Sequence, residues 1–184
     1  MRKVILVNGD IATGKSHFAV ILKERFNLPC FTKDEYKEEF AQTFPFSTYE
    51  ESHKLSIMAM DTLVRKFSES AEQGIDVILE ANFHEDYLKQ IDGVCKRYNY
   101  SILNINLIGN PKVLYPRYIN RMNNESRHPV HAVNKINDYS VFEKYTLDRR
   151  QEALIGEVID VDANSFAYQK DERLLGKIED FLKS

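Results

Sequence analysis

The chain has 184 residues, enough to bury the core of one α/β domain and short for two. At 43% hydrophobic and 29% charged residues it has ordinary globular composition, which excludes a disordered or fibrous chain. A formal net charge of −3 supplies no overall basic field and argues against a long nucleic-acid footprint.

The apolar run from Lys3 to Val7, ending at Asn8-Gly9, predicts a buried strand. Apolar residues at Phe18, Ile21, Leu22 and Phe26 predict an amphipathic helix over 15–26, and Pro29 to Thr32 a second short strand. From Asp34 to Gly74 the pattern is mostly helical. Leu55, Met58, Ala59, Leu63, Val64 and Phe67 line one face, and Gly74 is placed to stop the run. Thr43-Phe44-Pro45-Phe46-Ser47 interrupts it, with Ser47 or Thr48 able to cap the second part. Val77 to Leu79 reads as a third strand, closed by Glu80-Ala81-Asn82, and 85–98 as a helix. Then come a strand over 102–108, a helix from Pro111 to about Asn124, and a polar loop over 126–133. A helix over 141–154, a strand over 158–161 and a helix over 172–182 complete the chain.

Strands alternating with helices predict an α/β protein, a five-stranded parallel sheet covered on both faces in three α/β/α layers. Neither repeats nor a flexible linker divide it, so one domain over 1–184 is expected. No apolar run approaches the ~20 residues of a membrane helix. Met1-Arg2-Lys3 is followed by only four apolar residues before Asn8, which is no signal peptide. Cys30 and Cys95 lie far apart in apolar surroundings, as reduced thiols of a cytoplasmic protein do.

The sharpest local signal is Gly9-Asp10-Ile11-Ala12-Thr13-Gly14-Lys15-Ser16, a full G-x-x-x-x-G-K-[ST] pattern between a strand and a helix. Gly9 and Gly14 permit backbone shapes that turn successive N–H groups inward around a phosphate, and the helix opening at Lys15 favours the same anion. Lys15 is expected on the β and γ phosphates and Ser16 on Mg²⁺. His17 belongs to the same stretch of main chain, its side chain reading as that of an ordinary first-turn residue. No N-K-x-D segment follows a late strand, which separates the chain from GTPases, and it is too short for the second domains of large motors.

Four motifs, GDIATGKS, FTKDEYKE, VILEANF and PRYINRMNNESRHPVH, resemble those of small P-loop kinases: polynucleotide 5′-hydroxyl kinases, chloramphenicol phosphotransferase and zeta-toxin-like sugar-nucleotide kinases. The resemblance spans nearly the whole chain through element order. It implies a nucleoside- or metabolite-kinase-like fold with ATP and Mg²⁺ as cofactors and a small hydroxyl-bearing acceptor. The acceptor would bind a helical insert at about 35–73 beneath a lid at about 117–135. Asp34 takes the position of the general base that faces the acceptor hydroxyl, or is the N-cap of the next helix. Glu80, at a strand end, is placed beside Mg²⁺ or its water shell, or beside the substrate, and Asn82 is a substrate contact or a loop residue. Arg117 and Arg121 share a helix face; the resemblance sets the first on the adenine and the second on phosphate oxygens. Arg127 matches a lid arginine that closes over the transferring phosphate. Ala163 and Asn164 would border the adenine.

Other residues carry less. His128 and His131, with Pro129 between and no Cys or carboxylate close in sequence, make a poor metal site. Phe40, Phe44, Phe46 and Tyr49 form an acceptor pocket or, by default, pack in the core. Lys33 and Lys37 hold an acidic substrate or merely solubilise. Two alternatives stay beside a small-molecule kinase: a 5′-hydroxyl nucleic-acid kinase, and a nucleotide-binding regulatory ATPase without transfer activity.

Overall fold

The computed structural model describes residues 1–124 and 127–184; the part of the expected lid at Glu125 and Ser126, and the start of the expected 126–133 loop, lie outside them. In chain order the elements are β1 (Arg2–Gly9), α1 (Lys15–Phe26), β2 (Cys30–Thr32), α2 (Lys33–Ala41), α3 (Tyr49–Glu72), β3 (Val77–Glu80) and α4 (Glu85–Tyr98). They continue with β4 (Tyr100–Ile108), α5 (Pro111–Met122), α6 (Tyr139–Arg149), β5 (Glu157–Asp162) and α7 (Glu172–Lys183). The five strands form one parallel sheet in the order β2-β3-β1-β4-β5.

Strand β1 shows why the sheet is buried on both sides. Val4 and Leu6 point into a cluster with Met60, Leu63 and Phe67 of α3 and Leu88 and Ile91 of α4. Ile5 and Val7 point the other way, among Phe18 and Leu22 of α1 and Leu174 and Ile178 of α7. All four β1 residues are fully buried, so a strand without polar alternation fits only between two helical layers. The fold is the expected three-layer α/β/α architecture.

Element ends follow local chemistry. Thr48 caps α3 in a capping box: its hydroxyl accepts from Glu51 N at 3.2 Å and Glu51 Oε2 accepts from Thr48 N at 3.1 Å. Asn110 caps α5 ahead of Pro111. Two expectations shift. Helix α6 begins two residues earlier than the 141–154 reading because Asp138 Oδ1 accepts from Ser140 N and Val141 N, and it ends five residues earlier, at Arg149. Beyond that end, Leu154 and Ile155 peel away to pack on the cluster beneath α3 and α4. The polar segment expected as a loop over 126–133 is not all loop: Pro129–His131 makes a 3-10 turn capped by His128. Among the described residues no helix is long and apolar enough to cross a membrane.

Candidate active site

Strand β1 delivers Gly9 to the carboxyl edge of the sheet, where its φ is +121°. A Cβ there would stand 2.2 Å from the Leu107 carbonyl oxygen of β4, so only glycine lets the chain turn against its neighbour. Gly9→Ala is therefore expected to lower the unfolding free energy by about 2–3 kcal/mol, read in a denaturant titration, because the obstacle is main chain and cannot step aside. Ala12, also left-handed at φ +63°, tucks its methyl against Leu114, Tyr118 and Phe142. The Thr13 hydroxyl donates to Asp10 O at 2.8 Å, and Tyr168 donates to Thr13 O at 2.8 Å, holding the loop from both sides.

Helix α1 then starts with no side-chain cap. Among the described residues the amides of Ile11 to Ser16 donate to no protein acceptor. A row of unused N–H groups at an uncapped helix start fits a polyphosphate, which would supply the missing acceptors. His17, in that first turn, is exposed.

Lys15 is 8% exposed and folds back into the loop, donating to Gly9 O at 3.1 Å and to Asp10 O. Burial lowers its pKa to about 8, against the opposing charges of Glu80 and Asp10. Glu80, the last residue of β3, is itself buried; burial raises its carboxyl to about 7 although Lys15 pulls it down. Ser16 Oγ donates to Glu80 Oε2 at 3.3 Å. A hydroxyl and one carboxylate suit Mg²⁺, which takes few protein ligands and completes its shell with phosphate and water. Among the described residues no cluster of three or more His, Cys, Asp or Glu is arranged to hold a metal by itself.

Across the site, Thr32 pairs with Glu80 in register and its hydroxyl accepts from Glu35 N, so Thr32 is the cap of α2 and Asp34 is not. That frees the Asp34 carboxylate, one third exposed, to face two guanidinium groups and an imidazole. Arg121 stands 3.6 Å away, Arg127 3.7 Å and His131 Nδ1 4.0 Å. Burial works to raise the Asp34 pKa, and the charges around it, that of His131 when its ring is protonated and those of Lys33, Arg121 and Arg127, outweigh it and hold the carboxyl below its ordinary value. His131 Nε2 meets Glu38 Oε1 at 2.7 Å. Lys37, buried between them on the same helix, donates to Ser52 Oγ at 2.9 Å, and Ser52 donates to Val130 O at 3.1 Å. Burial lowers the Lys37 ammonium to about 8, so Lys37 is no solubilising surface residue. Among the described residues the Arg127 Nε is buried without a hydrogen-bond partner.

Arg117 is engaged by its own chain: it lies 4.5 Å over the Phe166 ring and donates to Ala163 O at 2.8 Å and to Asn164 O. Asp10 turns its side chain away from the phosphate loop, toward Arg150. Asn82 lines a small cavity of about 50 Å³ with Asn8, Asn106, Thr146, Arg149 and Glu152. The core default for the four insert aromatics does not hold. Phe44 and Tyr49 are exposed, and Phe46 sits 6.0 Å from the His128 ring.

Sequence reasoning missed Glu38 and Arg150, and passed over His131 as lacking a carboxylate nearby. The fold brings two, Asp34 and Glu38. Their spacing with Lys37 along α2 was the available signal, since residues three and four apart share a helix face. Arg150 carried none.

The cradle, the sheet order and the carboxylate opposite define a protein of the P-loop α/β class. Neither a protein-family model nor a curated protein sequence matches the chain. Solved structures do. One, from Chloroflexus aurantiacus J-10-fl and described as a kinase, is 24% identical with a TM-score of 0.79, covering 96% of this chain and 95% of its own. The shikimate kinase of Aquifex aeolicus is similar at 15% identity and a TM-score of 0.60, with 96% of each chain covered. A deoxyadenosine kinase from M. mycoides matches at 15% identity and 0.59, over 97% of this chain and 99% of its own. At these identities the likeness is one of fold.

Proposed function

We propose that the protein is an ATP-dependent phosphotransferase that moves the γ-phosphate of Mg·ATP to a hydroxyl of a small molecule. The observation that carries this reading is the Asp34 carboxylate facing Arg121 and Arg127 at 3.6 and 3.7 Å beside the phosphate loop, an arrangement that water activation alone does not call for. The kinase descriptions of the similar structures support it by analogy of fold.

The amides of Ile11 to Ser16 hold the β and γ phosphates, and Lys15 swings from its two carbonyls onto their oxygens. Ser16 and Glu80 would hold Mg²⁺ or its water, which would supply positive charge beside the transferring group. Arg121 and Arg127 spread the charge that builds on the phosphoryl oxygens, the second from a largely desolvated position. Arg117, with Ala163 and Asn164, borders the adenine. Asp34 orients the acceptor hydroxyl and draws on its proton.

The test is γ-labelled ATP with Mg²⁺ and panels of small alcohols, nucleosides and 5′-hydroxyl oligonucleotides. Label should move to a small alcohol or nucleoside, and Asp34→Asn should lower transfer by about 10²–10⁴-fold while nucleotide still binds. Acceptor-independent phosphate release, or transfer unchanged in Asp34→Asn, would refute the reading. Label appearing on the oligonucleotides alone would move the acceptor class to nucleic acid.

A further inference from the structure

His131 closes the 3-10 turn of the lid segment with its side chain 5% exposed. Its Nε2 lies 2.7 Å from Glu38 Oε1. A carboxylate only accepts, so this short contact places a hydrogen on Nε2 and leaves the lone pair of the neutral ring on Nδ1. That lone pair faces Asp34 Oδ1 at 4.0 Å. Two acceptors thus oppose each other, an unfavourable pairing until a donor enters between them. One oxygen at ordinary hydrogen-bond distance, about 2.8 Å, reaches both atoms across such a gap.

The surroundings favour the neutral ring. Burial lowers the His131 pKa and Arg127 adds to the effect, while Asp34 and Glu38 oppose it. Those two carboxylates and Lys37 come from α2, Arg121 from α5, and Arg127 and His128 from the segment of His131 itself. From α3 comes the uncharged Ser52, whose bond to Val130 O fixes the turn.

We propose that the acceptor hydroxyl sits between Asp34 Oδ1 and His131 Nδ1, its single hydrogen turned first to Asp34 and then to Nδ1, and that the proton comes to rest on Nδ1, with Glu38 holding the ring in the receiving tautomer. This step rests on the phosphotransferase reading. As the acceptor oxygen bonds to phosphorus, the bond to the departing ADP oxygen breaks and its electron pair leaves with ADP. The O–H bond breaks with its pair kept by the acceptor oxygen, and the proton passes to Nδ1. The imidazolium so formed lies between two carboxylates. Asp34, ringed by cations, orients the hydroxyl and gives up any proton readily.

One test needs no turnover. Nitrogen NMR of the histidine side chains in the full protein, above the pKa of the ring, should show His131 protonated at Nε2 and bare at Nδ1; the opposite tautomer overturns the proposal. Kinetically, kcat should fall along an acid limb set by His131, because the protonated ring cannot receive. Glu38→Gln removes a charge that raises the ring's pKa, so the limb should move to lower pH. His131→Gln should lower kcat by about 10²-fold, abolish the limb and leave the KM for ATP unchanged. His131→Asn serves if the first variant melts early, and is expected to lose the limb as well. A wild-type pH profile in a folded His131 variant sinks this step alone. Absence of transfer by the unmodified protein sinks the phosphotransferase reading and this step with it.

Discussion

Lys15→Ala is expected to lower kcat for phosphoryl transfer by about 10²–10³-fold and to weaken Mg·ATP binding, while changing the stability of the nucleotide-free protein little. The lysine is buried, and its ammonium rests on the Gly9 and Asp10 carbonyls that frame the phosphate loop. With its pKa near 8 it keeps its proton at neutral pH, so it brings a full charge to the site without needing solvent. The small effect on folding follows from Glu80. That carboxyl titrates near 7 because burial outweighs Lys15, and losing the lysine pushes it further toward the neutral acid. A neutral Glu80 still has the Ser16 hydroxyl beside it, so no unpaired buried charge remains. Calorimetry with Mg·ATP, turnover and urea unfolding of the same variant separate the three effects. Unchanged affinity with unchanged turnover would remove the phosphate loop from the chemistry.

Features whose cause is local were legible in the sequence. The G-x-x-x-x-G-K-[ST] run marks the turn because its fixed positions, two glycines, a lysine and a hydroxyl, fall within eight residues between a strand and a helix. Strand β1 could be read from four apolar residues, and the sheet's parallel sense from the alternation of elements. What escaped depends on contacts far apart along the chain. His131 and Glu38 are 93 residues apart, and no periodicity links a 3-10 turn to a helix face. The end of α6 was misjudged for the same reason: the apolar pattern runs on to Leu154, but Leu154 serves the sheet-side cluster. The insert aromatics show the opposite error, since Phe44 and Tyr49 carry core-type side chains on an exposed surface.

Arg150→Ala is expected to cost about 3–5 kcal/mol of folding stability, and more than the Asp10→Ala, Arg150→Ala double variant costs. Asp10 is 4% exposed at the side chain and Arg150 27%. The guanidinium approaches Asp10 through Nε at 3.2 Å and a terminal nitrogen at 2.5 Å, and it also donates to Gly109 O. Gly109 N donates to Asp10 Oδ2 at 3.0 Å. One carboxylate therefore joins the second residue of the phosphate loop, the turn that opens α5 and the end of α6. Removing the arginine alone strands a buried charge with a single amide donor, whereas removing both leaves only a void, and this asymmetry drives the non-additivity. The neighbouring Arg149 is tied elsewhere, to Glu152 and to Phe83 O, so it cannot substitute. Urea unfolding of the wild type, the two single variants and the double closes the cycle. Simple additivity would show that the pair is a surface decoration. A large coupling, with weakened Mg·ATP binding in Arg150→Ala, would show that α6 holds the loop in its phosphate-ready shape.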